Sequence, residues 1–125
     1  MLFWRTHRAA RIIFSLKFHL GEMNAAEAVE FLVDGVGHER SAATAEVRRS
    51  FDGSYPPLYQ AAYMIGGLQL LALHEELVDS GRMSAREFHD AILKGNSMPI
   101  ELHRARLTGV TPGWVFTPEW EFAER

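Results

Sequence analysis

The sequence predicts an all-α protein: an antiparallel bundle of about five or six helices followed by an extended aromatic tail. Three observations predict it. Long stretches without Gly or Pro are separated by short breaks that carry them. Two helix-start signatures, Asn24 with Glu27 and Ser84 with Glu87, match the capping box, in which the cap side chain and the residue three on satisfy each other's backbone N–H groups. No stretch alternates apolar and polar residues long enough for a sheet strand.

The first predicted helix runs from about Leu2 to Leu20 and ends at Gly21. In its second half the apolar residues Ile12, Ile13, Phe14, Leu16, Phe18 and Leu20 go most of the way round, the pattern of a helix that wants a partner on more than one side. Asn24 opens a second helix that stops at Gly35, and a polar, alanine-rich third runs from about His38 to Phe51. Asp52, Gly53 and Ser54 form a turn. A long apolar helix is predicted from about Pro57 to Ser80, with proline in the first turn, where a missing N–H does no harm. Ser84 opens a short helix ending at Gly95, and Ser97 to Pro99 start a last one reaching about Leu107. The division predicted is a helical domain over 1–109 and an extended tail over 110–125.

Composition narrows the function classes. At 125 residues the chain makes at most one domain of ordinary size. Apolar residues are 47% and charged residues 23%, as in a soluble globular protein. A net charge of -3 argues against a nucleic-acid partner, which needs a basic face. There is no cysteine, so no disulfide and no thiolate metal site. The first residues lack a signal-peptide pattern and no apolar run reaches a membrane span. The compartment is left open, with the cytoplasm as default.

Chemistry-bearing residues are scattered. Tyr55, Tyr59 and Tyr63 recur every four residues and lead to Gly66 and Gly67. Phenol hydroxyls beside a glycine can bind a carbonyl or oxyanion, although a tyrosine stripe more often packs a core. The two glycines cost about 1 kcal/mol each inside a helix, so a close approach by backbone or ligand is expected there. His19 and Glu22, three apart, could pair a base with an acid. His74-Glu75-Glu76-Leu77-Val78 fails the zinc-protease pattern at Val78 and reads as a solvated face. His38 reads as part of a helix start with a surface ion pair, and His7, His89 and His103 as surface or boundary residues. There is no serine-nucleophile elbow and no phosphate loop.

Several ordered segments together resemble a known family. They are Arg11 to His19, the helix from Met23 to Leu32, Glu46 to Arg49, Pro57 with Tyr63 to Gly66, Phe88 to Leu93, and Ser97 to Leu102. Together they resemble, over roughly residues 4–108, the C-terminal region of the large bacterial family called domain of unknown function 885. That resemblance implies a helical, zinc-peptidase-like protein related to oligopeptidases and carboxypeptidases, several times longer than this chain, with its zinc motif upstream. It also implies roles for His19 and Tyr63 as catalytic residues steadying an oxyanion, and Arg11, Tyr59, Gln60 and Gly66 as substrate-binding residues. The chain departs from the family at Ser15 and Lys17, where aspartate and glycine are usual, and at Tyr59, which stands where glutamine is expected, with Gln60 next to it.

The expected function is therefore a wall of a peptidase-like hydrolase site, with no metal or cofactor of its own and no turnover alone. The alternatives are a stand-alone helical interaction or oligomerisation module and a small independent hydrolase using His19 and Tyr63. The expected partners are a second copy or a complementing chain covering the first helix, and a peptide-like ligand, with neither nucleic acid nor membrane.

Overall fold

The computed structural model describes residues 2–111 and 120–124. Six α-helices and no strand occur among the described residues, so the all-α expectation holds. They are α1 (Leu2–His19), α2 (Ala25–Val36), α3 (Arg40–Phe51), α4 (Ala62–His74), α5 (Ala85–Gly95) and α6 (Ile100–Thr108). The chain falls into two compact units, Met1–Met64 and Ile65–Arg125.

In the first unit α2 packs against both α1 and α3. Phe14 and Ala10 of α1 meet Ala28 and Leu32 of α2 and Ala43 and Val47 of α3, and Phe14, Ala28, Leu32 and Ala43 have no exposed surface. Phe18 stacks flat on Phe51 with ring centroids 3.5 Å apart. The helix starts form as the sequence predicts. Asn24 accepts from the Glu27 N–H and Glu27 returns a bond to the Asn24 N–H, a complete capping box. Glu39 caps α3 by accepting from the N–H groups of Ser41 and Ala42. Gly37 closes α2 in the left-handed region, φ 81°, its N–H bonded to the Val33 carbonyl. That reversal lets the His38 N–H reach Leu32 O at 3.1 Å and brings His38 back towards α1.

The predicted long helix from Pro57 to Ser80 is broken at both ends. Pro57 keeps Pro56 out of the helical region, and Leu58 turns left-handed at φ 63°, a conformation a branched residue seldom takes. Helical hydrogen bonding cannot propagate through such a residue. A single 3₁₀ turn (Tyr59–Ala61) follows, resting on α1, and α4 starts only at Ala62. At the other end the last turn widens to a π-helix over Glu75–Asp79.

The second unit has its own core of Leu73, Leu77 and Phe88, flanked by Leu70, Val78, Met83, Ile92, Ile100 and Leu107. Ser84 and Glu87 form the second capping box. Gly95 serves close packing: a Cβ there would lie 2.5 Å from atoms of His103 and Arg106. That approach buries His103, which the sequence assigns to the surface or boundary, and its Nε2 lies 3.2 Å from the Asn96 carbonyl. Arg104 gathers the carboxylates of Glu76, Glu101 and Glu121. The predicted aromatic tail lies mostly outside the described residues. Of it, Trp120 to Glu124 is neither helix nor strand, and the Ala123 N–H bonds the Leu68 carbonyl at 3.2 Å.

Candidate functional site

A polar chain runs through the first unit and surfaces at the tyrosines. It begins on α1, where His7, Arg11 and Ser15 stand four residues apart and so share one face. His7 is 3% exposed, and its Nδ1 lies 2.7 Å from Nε2 of His38, so one imidazole donates to the other. Burial pushes the His7 imidazolium below its ordinary value; the Arg11 charge adds to this and Glu46 opposes it. The neutral form of His7 is thereby favoured, and a neutral ring can either donate to His38 or accept from it.

Glu46 of α3 is the hub. Its carboxylate pairs with Arg11 Nε at 2.6 Å and with Arg49 at 3.2 Å. Burial alone would raise the Glu46 carboxyl; the Arg11 bond and charge, with Arg49 and His7, outweigh it and hold it below its usual range. Arg49 in turn donates to the amide oxygen of buried Gln60, at 2.9 and 3.1 Å, in the amide orientation that the network requires. The Arg11 guanidinium lies 5.8 Å from the centroid of the Tyr63 ring, over its face.

Tyr63 and Tyr59 complete the chain at the surface. The break at Leu58 puts Tyr59 on the 3₁₀ turn and Tyr63 in the first turn of α4, with hydroxyls 3.1 Å apart. Tyr55 stacks on Tyr59 at 4.5 Å. The hydrogen bond to Tyr63 raises Tyr59 above its ordinary value, so the Tyr59 phenol stays protonated. One hydroxyl donates to the other, which leaves the second O–H to point elsewhere. Tyr59, Ala62 and Tyr63 line a shallow depression here, with both phenols well exposed.

Comparison with known proteins gives one match. Residues 1–107 match the family described as bacterial protein of unknown function (DUF885). The chain belongs to this family. No curated protein and no solved structure matches it. Family membership supports the family named from the sequence; it names no activity and bears neither on a peptidase relationship nor on which region of the family the chain matches.

The family-derived site residues do not all meet. Arg11, Tyr59 and Tyr63 come together, and Gln60 joins them through Arg49 and Glu46. His19 stands apart. It is exposed, its ring edge lies against Phe18 and Phe51, and it makes no hydrogen bond or ring contact with Tyr63. Eight residues of α-helix place it about 12 Å further along α1 than Arg11. Gly66 is half-buried in α4, and a Cβ there would meet nothing within 4 Å, so the close approach that glycine suggests is not made by any described residue.

His7 and Glu46 escape a sequence reading. The assignment of His7 to the surface is corrected: burial under α2 and α3 of a face that also carries Ala10 and Phe14 takes it inside. The signal was present in the spacing of His7, Arg11 and Ser15 alongside Phe14. The Ser15 hydroxyl, also buried, has no hydrogen-bond partner among the described residues. His74, read as solvated, is half-buried with its ring edge-on to Phe88 at 5.2 Å. Among the described residues no three His, Asp or Glu side chains converge as metal ligands.

Proposed function

We propose that this chain supplies a substrate-anchoring wall of a peptidase-like hydrolase, binding the carbonyl oxygen or carboxylate of a peptide-like ligand. The observation that carries the reading is the Tyr59–Tyr63 hydroxyl pair at 3.1 Å, backed by the Arg11 guanidinium on the Tyr63 ring. In the orientation with Tyr59 as donor, the Tyr63 O–H is free to donate to a developing oxyanion. Arg11 is fixed through Nε by Glu46, and in this reading its remaining N–H groups take the ligand carboxylate as a fork. Glu46 and Gln60 position the two arginines. His19 has its site role only from the family resemblance. At about 12 Å along α1 it would meet a different residue of an extended peptide, which advances roughly 3.3 Å per residue. Binding without turnover is what this reading predicts for the chain alone.

The test is calorimetric titration with a phosphinic dipeptide, whose phosphinate oxygens stand in for the tetrahedral oxyanion. Binding should fall about tenfold in Tyr63→Phe and further in Arg11→Ala, while the melting temperature of Tyr63→Phe stays put. A wild-type chain that ignores the phosphinate, or a Tyr63→Phe chain that binds it equally, sinks the reading. Peptide hydrolysis by the chain alone that is abolished in His19→Ala would instead favour the small independent hydrolase.

A further inference from the structure

The link between α5 and α6 turns on Asn96, at φ 60° and ψ -161°. Only glycine enters that region without cost. Among the described residues of the second unit, Asn96 is the one non-glycine residue with a positive φ. Contacts on both sides hold it there. Its N–H bonds the Leu93 carbonyl at 3.1 Å, and its own carbonyl lies 3.2 Å from Nε2 of buried His103. Gly95, just before it, packs so closely on α6 that the link has no slack. The side chain is turned onto the next peptide. Oδ1 of Asn96 accepts from the Ser97 N–H at 2.8 Å, so the Ser97 nitrogen lies against the amide carbon that carries this oxygen. Both residues are exposed to water, and the serine side chain is small enough to leave the approach open. A nucleophilic nitrogen and an acyl carbon are thus held in a near-attack arrangement.

We propose that Asn96 is a site of spontaneous covalent modification, converting itself through a cyclic imide to isoaspartate and aspartate and so slackening the second unit. The Ser97 nitrogen gives its proton to water and bonds Cγ of Asn96. The bond from Cγ to the side-chain nitrogen breaks, and that nitrogen leaves as ammonia. Water then opens the five-membered imide. Opening at Cγ gives aspartate on an unchanged main chain. Opening at the α-carbonyl gives isoaspartate: the main chain now runs through Cγ, one methylene longer, and the former α-carbonyl is a carboxylate. Amide and water become acid and ammonia, with no oxidation. The isoaspartate product puts its extra methylene into a link that Gly95 packs tight, and it alters the carbonyl that His103 contacts. Asn24, the other asparagine of the chain, lacks the arrangement. Its Oδ1 accepts from the Glu27 N–H, three residues on, rather than from Ala25.

The test is to age the intact chain at mildly alkaline pH and map its peptides by mass spectrometry for acid in place of amide. An isoaspartate-specific carboxyl methyltransferase with a labelled methyl donor confirms the product. Asn96 should convert at least about tenfold faster than Asn24. It should also convert faster in the folded chain than in urea, because unfolding disperses the near-attack geometry; an asparagine that is merely exposed gains nothing from folding. Asn96→Gln would have to close a larger ring and should stay unmodified at that position. The melting temperature should fall as the wild type ages and hold steady in this variant. Conversion of Asn96 no faster than Asn24, or faster in urea than in the folded chain, overturns the site. Equal loss of melting temperature in wild type and Asn96→Gln overturns the slackening.

Discussion

Each unit contains an arginine among carboxylates, and the two are used differently. In the first unit Arg11 is 14% exposed, paired to a Glu46 that is 12% exposed, and their polar chain surfaces at a pair of exposed phenol hydroxyls. In the second, Arg104 is as buried at 13% and is held by three carboxylates, of which Glu76 and Glu121 are more exposed. The second arginine ties α6 to the π-helical turn and to the stretch around Glu121; it is a fastening. The first spends its charge on orienting a group that faces solvent. A buried polar chain points to a site when one end of it is left open, and to a brace when both ends are tied.

Three experiments would break or sharpen that contrast. The largest effect is expected from removing the hub. Glu46→Gln leaves Arg11 and Arg49 without their carboxylate in a half-buried setting and should cost about 2 kcal/mol in urea denaturation, together with loss of phosphinate binding. Glu76→Gln, whose carboxylate is 29% exposed and whose arginine keeps two other partners, should cost about 1 kcal/mol or less. Equal costs for the two would erase the distinction. Next come the two capping boxes, one in each unit and alike in geometry. Asn24→Ala and Ser84→Ala should each cost about 1 kcal/mol, because a cap is a local device indifferent to what the rest of the unit does. A cap several times more costly in one unit would show that its helix start is coupled to more than its own first turn.

The smallest effect is the pH dependence that His7 and Glu46 give the first unit. His7 in the folded chain holds its proton less tightly than in the unfolded chain, whose value is near 6.5. Stability contributed by the neutral imidazole is thus complete above that pH and is lost as pH falls through the lower folded value. Glu46, also depressed, contributes above its ordinary 4.5 and loses that contribution as pH falls through its folded value. Acidification should therefore lower the melting temperature in two steps, and His7→Gln should remove the upper step while leaving the lower. If the variant keeps the full pH profile, the buried histidine pair is not responsible.

How much of this was legible in the sequence divides along a physical line. The all-α fold and both capping boxes were legible, because Asn24 with Glu27 and Ser84 with Glu87 act within one turn of backbone. Family resemblance also led to Arg11, Tyr59 and Tyr63, although not to their geometry. The break at Leu58 was not legible: proline is welcome in a first helical turn, and only the seating of the 3₁₀ turn on α1 fixes the left-handed residue after it. Nor was the burial of His103; for His7 the four-residue row with Arg11 and Ser15 marked a shared face, but not that other helices would cover it.

The sequence by itself determined where helices start and stop, since capping and chain-breaking residues act on neighbours a few positions away. The tertiary structure alone decided which polar side chains go inside and which meet: the pairing of Arg11 with Glu46 spans two helices, and the tyrosine pair depends on a turn held by a third contact. Desolvation and ion pairing depend on distances between segments far apart in the chain, and a linear order of residues does not contain those distances.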